Sequence, residues 1–140
     1  EKTKGEYNIW QAWGGITGIQ TLLPLLLSEG IHKRGMSLEQ LTQLLSTRPA
    51  QLAGIAGRKG KIQVGHDADL LLVDLQRQWR VKQEWLYSRH PHSPFMGWNM
   101  RGWVSRVVLR GKTVMSDGVV SAQPSGQWIL KSLASQHSPA

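Results

Sequence analysis

Three short stretches of this sequence carry residue types that could do chemistry. His90 and His92 flank a single residue in H-P-H, the spacing of a metal-binding histidine pair. Two histidines fill only half of a closed zinc site, so such a site would need further ligands from elsewhere. Asp67 and Asp69 stand in G-H-D-A-D. Paired carboxylates can exchange protons with a substrate, but aspartates in a turn entering a strand more often accept from nearby backbone N–H groups. Gly14 and Gly15 precede the apolar run of QAWGGITGIQTLLPLLLSEG. Adjacent glycines there imply unusual backbone angles or close approach of another group. One reading is a tight entry turn into a helix. The other is a loop whose backbone N–H and C=O groups face a ligand. The residues alone leave both open.

The elements that would position these residues change character along the chain. Ile19, Leu22, Leu23, Leu26 and Leu27 recur at helical spacing, which predicts a helix over 17–29 with Thr17 as N-cap, Pro24 as a kink and Gly30 at its end. It is apolar on most sides and so calls for burial in a larger body. Ser37 and Gln40 form a capping box ahead of Leu38, Leu41, Leu44 and Leu45. A third short helix is expected in STRPAQLAGI, capped by Thr47, with Pro49 in its first turn and Gly54 or Gly57 after it. From about residue 58 the pattern is of strands. GKIQVG gives a short strand, and Ala68 to Val73 gives a continuous aliphatic one, expected to be buried on both faces. RVVLRGKTVMSDGVV reads as strands over 103–109 and 112–116 with turns at Arg110-Gly111 and Asp117-Gly118. Residues 76–101, rich in Trp, His and Pro, read as an irregular wrap, and the end of the chain from Lys131 as a disordered tail.

Composition limits the function classes. The 140 residues suffice for one modest domain, and none of their apolar runs approaches the ~18 residues of a membrane span. The N-terminal EKTKGEYNIW has no apolar core of a signal peptide, and the lack of an initiator Met leads to the expectation of a fragment or processed chain. With no Cys, disulfide and thiolate chemistry are excluded. The net charge of +8 invites nucleic acid as a partner, but the basic residues are scattered, and the densest group, RKGK at 58–61, flanks a turn. Neither nucleic acid nor membrane is therefore expected as a partner.

Several motifs together carry a resemblance. GKIQVGHDADLLLVD resembles the G-x-I-x-x-G-x-D-A-D-hydrophobic run in the small β-domain of the amidohydrolase superfamily. STRPAQLAGI resembles the helix before it, and RVVLRGKTVMSDG its closing strands. AWGGITGIQ, HKRGMSLEQL and RHPHSPFMGW are together similar to the allantoinase group of cyclic amidohydrolases. The resemblance runs from about Ile9 to Leu130. It implies an α+β fragment: the last helices of a TIM-like (β/α)8 barrel, then most of a small β-sandwich domain. Residues 1–57 would be the barrel's end with its substrate loop, 58–130 the small β-rich domain, and 131–140 a polar tail. It also implies a cytoplasmic enzyme, often a homo-oligomer, that hydrolyses the ring amide of allantoin, with a dihydropyrimidinase or hydantoinase as the alternative. A non-catalytic relative kept as a scaffold is a further alternative.

In that family a binuclear zinc centre supplies the attacking hydroxide. Its ligands are a His-x-His pair, a carboxylated Lys, two more His and an Asp that also serves as acid and base. The resemblance places all of these before Glu1, in the rest of the barrel, leaving no metal ligand and no catalytic residue in this chain. R-H-x-x-S-P-aromatic is matched by Arg89, His90, Ser93, Pro94 and Phe95, which makes His92 incidental. The resemblance gives Gly14 and Gly15 to the substrate loop, where a missing Cβ lets backbone approach a flat ring. Trp13 is then a wall of the pocket or a core residue.

Overall fold

A computed structural model describes residues 5–12, 14–90, 92–121 and 123–130, so Trp13 and the tail 131–140 lie outside the described residues. Helix α1, Ile19–Leu25, follows Gly18 and has no side-chain cap. Thr17, expected to cap it, instead donates its hydroxyl to the His90 carbonyl at 2.9 Å. Proline lacks the N–H that an α-turn needs. α-Geometry ends at Leu25, just past Pro24, and a π-helical stretch, Leu26–His32, continues the rod. The rod does not stop at Gly30. Gly30 is buried, with the Met36 side chain 3.3 Å from where a Cβ would stand, and the left-handed residue that follows the rod is Gly35 (φ +69).

The capping box is present on helix α2, Leu38–Thr42: Gln40 N–H donates to Ser37 Oγ at 3.1 Å, and Ser37 N–H to Gln40 Oε1 at 2.9 Å. The expected third helix is not separate. A π stretch, Gln43–Thr47, joins α2 to α3, Arg48–Leu52, without a break. Thr47 has helical backbone (φ −65) and donates its hydroxyl to Gly60 O at 3.0 Å rather than capping. Gly54 (φ +70) ends the helix, with Ile55 N–H reaching back to Ala50 O at 2.9 Å.

The short strand expected in GKIQVG does not form. Gly60 (φ +88) and Gly65 (φ +86) are left-handed and turn the chain. A Cβ at Gly60 would stand 2.6 Å from that of Ala50, so the glycine presses directly on the helix.

The sheet is a four-stranded antiparallel meander in the order β1-β2-β3-β4: Leu70–Arg80, Asn99–Leu109, Lys112–Ser116 and Val119–Val120. Both expected tight turns are present. Arg110 and Gly111 (φ 46 and 79) and Asp117 and Gly118 (φ 45 and 84) are left-handed, as two-residue hairpin loops require. β1 and β2 reach further into the 76–101 segment than the pattern suggested. A wide bulge explains the lost alternation: Asp74 pairs with Trp103 and Gln78 with Arg101, leaving three residues opposite Gly102. Asp74 Oδ1 accepts from the N–H of Gln76 and Arg77 at 2.8 and 3.1 Å, satisfying donors the ladder leaves out. Leu71 and Leu72 are 54% and 45% exposed, against the expectation of burial on both faces, and β1 is an edge of the sheet among the described residues.

The helical rod docks onto the bulge. Leu27, 1% exposed, sits against Gly102, and Ser28 Oγ accepts the Arg101 N–H at 3.2 Å. His32 Nε2–H donates to Leu75 O at 2.7 Å. Gly102 has φ +104, and a Cβ there would lie 2.8 Å from Leu27 Cβ. Backbone strain and overlap then act together in Gly102→Ala, which should cost roughly 2–5 kcal/mol in chemical denaturation of the full-length protein. A cost under about 1 kcal/mol would mean that the helix is not seated tightly on the bulge.

Candidate functional site

Gly14 and Gly15 lie exposed just ahead of α1. Gly15 is left-handed at φ +78, which any side chain would resist. A Cβ at either glycine would meet no heavy atom of the described residues within 4 Å. Positive φ suits either a turn or a ligand-facing loop.

The chain brings this loop beside a segment distant in sequence. Besides the Thr17 bond to His90, the Gln20 carboxamide accepts the Tyr87 N–H on Oε1 at 3.0 Å and donates from Nε2 to Trp85 O. Tyr87 donates its hydroxyl to Gly118 O at 2.9 Å, tying the segment to the β3–β4 turn. Trp85 stacks with Trp79 and Trp103, ring centroids 4.7 and 4.9 Å away. The Arg77 guanidinium lies 4.6 Å above Trp103, and Asp117 Oδ1 accepts from both, at 2.9 and 3.2 Å. An open groove of about 940 Å³ runs beside the join, lined by Ile16, Thr17, Tyr87, Val107, Met115 and Val120 among others, though not by Gly14 or Gly15.

Gln20 was not singled out from the sequence. The available signal was a carboxamide near the start of an otherwise apolar helix.

His90 and His92 adjoin this join, with His92 N–H donating to His90 O at 2.8 Å, while Pro91 lies outside the described residues. Among the described residues no three of His, Cys, Asp or Glu are grouped so as to hold a metal ion.

Asp67 and Asp69 serve the fold. Asp67 pairs with Lys59 at 2.7 Å and Arg58 at 2.9 Å, and Asp69 with Lys59. Asp69 Oδ1 also accepts the Arg110 N–H at 2.8 Å, clamping the β2–β3 turn to the start of β1. Bonds from Lys59 and Arg58 hold the Asp67 carboxyl below its ordinary value. Burial works to raise that of Asp69, but Lys59 and the Arg110 N–H outweigh it and leave it lowered. Burial likewise opposes the Lys59 ammonium, and its bonds to Asp67 and Asp69 still hold it above the ordinary lysine value. Carboxylates lowered on folding contribute stability that is full above the unfolded value of 3.8 and is lost as pH falls through the lower folded values. Asp69→Asn should therefore lower the melting temperature of the full-length protein at neutral pH, with the gap to the parent closing in melts below about pH 4. A gap that stays constant with pH would remove the ionic account.

The amidohydrolase family model matches residues 14–114. An allantoinase of Rubrobacter xylanophilus is 47% identical over 126 residues, covering 90% of this chain and 28% of its own length. An L-hydantoinase of Paenarthrobacter aurescens is 37% identical over 94% of this chain and 29% of itself. Among solved structures, the L-hydantoinase (dihydropyrimidinase) from Arthrobacter aurescens superposes with a TM-score of 0.83 at 38% identity, covering 87% of this chain and 27% of that one. The chain thus spans under a third of the length of these relatives.

Proposed function

The chain belongs to the amidohydrolase family, and on that premise we propose that it is the C-terminal part of a metal-dependent cyclic amidohydrolase that opens the ring amide of allantoin. The observation that carries this reading is the 47% identity to an allantoinase across 90% of the chain. In this reading residues 1–57 close the barrel, 58–130 form most of the small β-domain, and the rest of the enzyme completes both and self-associates. Gly14 and Gly15 supply backbone N–H and C=O groups to the two edges of the substrate's amide, and their missing side chains admit the flat ring. Trp13, outside the described residues, is assigned in this proposal to the wall of the pocket, with a core residue as the alternative. What the chain contributes is orientation of the ring and exclusion of water, effects that act through placement rather than bond making.

The residues described here do not fit a metal centre, since no cluster of ligands is found among them. The zinc pair belongs, in this proposal, to the remainder of the barrel. An L-hydantoinase identical at 37% over 94% of the chain supports a second reading, a hydantoin- or dihydropyrimidine-opening enzyme. Steady-state assays of the full-length protein on allantoin, a 5-substituted hydantoin and dihydrouracil separate the two. The proposal expects kcat/KM for allantoin to exceed the others by at least about tenfold. A preference for the hydantoin would establish the second reading, and no turnover of any of the three by metal-loaded protein would point to a non-catalytic scaffold.

A further inference from the structure

We infer that Arg89 is an anion-binding residue beside the substrate loop, whose guanidinium takes the carboxylate that opening a cyclic amide creates. The inference rests on the proposed ring-opening activity and on the reading of Gly14 and Gly15 as a substrate contact. Hydrolysis turns a neutral ring into an anion. Water adds its oxygen to the ring carbonyl carbon, the C–N bond breaks, and the nitrogen leaves carrying a proton. The acyl group remains as a carboxylic acid, which gives up its proton to solvent at neutral pH. That charge has no counterpart in the substrate, so a group that recognises it acts on the product and not on the intact ring.

Arg89 opens the R-H-x-x-S-P-aromatic match, and the fold sets it in a turn fixed against the start of α1. Three donors converge on the His90 carbonyl: the Thr17 hydroxyl at 2.9 Å, the Ser88 hydroxyl at 3.1 Å and the His92 N–H at 2.8 Å. The Ser88 bond closes the chain across Arg89, and the Thr17 bond joins that turn to a residue two places from Gly15. Ser88 and Ile16, the immediate neighbours of Arg89 and Gly15, line the same open groove. The Arg89 side chain is exposed and has no hydrogen bond or ion pair among the described residues. Arg34, Arg58, Arg77, Arg80 and Arg110 spend theirs on partners within the fold. Arg106, likewise unpaired, stands mid-strand on β2. A guanidinium offers a fixed fork of donors that matches the two oxygens of a carboxylate. Unpaired on an anchored turn, Arg89 can receive one without first breaking an ion pair.

The test sets product against substrate on the full-length enzyme. Allantoate, the ring-opened carboxylate of allantoin, is added as an inhibitor of allantoin hydrolysis. Arg89→Leu should raise its inhibition constant about tenfold, with KM for the neutral ring within about threefold and the melting temperature within a few degrees. Arg89→Lys, which keeps the charge and loses the fork, should fall between. Inhibition of the parent should weaken with added salt, and inhibition of Arg89→Leu should respond much less. An unchanged inhibition constant in Arg89→Leu would overturn the inference. So would equal rises in the inhibition constant and KM, the mark of a general distortion, or a drop in melting temperature that accounts for the change. Gly15→Val separates the two levels. If it is impaired while inhibition of Arg89→Leu is parental, the role of the arginine fails alone. If Gly15→Val is parental, or the parent does not open allantoin, the reading of the site fails and the inference goes with it.

Discussion

Gly15→Val in the full-length enzyme is expected to cut kcat/KM for the cyclic amide by about a hundredfold or more while leaving the melting temperature within a few degrees. Two effects combine. Valine at φ +78 is driven out of the left-handed region, because its Cβ meets the adjacent backbone and its branching stiffens χ1. The strain, roughly 1–2 kcal/mol per residue, exceeds what an exposed loop can resist, so the loop moves. Any substrate ring seated on the loop then meets both a displaced backbone and two new methyl groups. A side chain there meets no heavy atom of the described residues within 4 Å of its Cβ, so the damage to folding should be small. Gly15→Ala should fall between parent and valine. Coincident collapse of activity and melting temperature would show the pair to be a structural turn.

The second large effect concerns these 140 residues expressed alone. They should fail to give a monomer with a sharp unfolding transition, and should bind no stoichiometric metal. β1 is an open edge bearing the half-exposed Leu71 and Leu72, and edges of this kind pair with other chains. Val64, Ile62, Leu52 and Ile19 are also almost fully exposed. Covering each such side chain is worth roughly 1.5–3 kcal/mol, so together they rival the stability of a small domain. Leu27, by contrast, is already covered by the chain's own Gly102 seam. Size-exclusion chromatography, calorimetry and elemental analysis decide the matter. A monomeric, cooperatively melting species would show that the chain stands by itself, and zinc lost on replacing His90 and His92 together would revive H-P-H as a metal site.

What could be read from the sequence was what local chemistry specifies. The Ser37–Gln40 box and the turns at Arg110-Gly111 and Asp117-Gly118 were legible because a few neighbouring residues determine each. The run of β1 beyond Val73 was not, since the bulge at 75–77 breaks the two-residue alternation on which strands are recognised. Thr17 and Thr47 looked like caps by type, yet both spend their hydroxyls on distant carbonyls, at His90 and Gly60, that no local pattern announces. The Gly14–Gly15 loop was assigned to the substrate through resemblance alone, while the bonds from Gln20 to Trp85 and Tyr87 needed three dimensions.

The two tight turns bear on the order in which the sheet forms. β2, β3 and β4 are joined by two-residue links, so their contacts are local in sequence, and such hairpins close in about 1–10 µs. β1 can pair with β2 only after residues 81–98 have been gathered into a closed excursion, and that closure carries an entropic cost which local contacts avoid. The indole stack draws one ring from β1, one from the excursion and one from β2. It can be completed only in this later step. Within the full-length protein, tryptophan emission should therefore report the closing of the excursion, trailing the backbone signal of the β2–β4 meander.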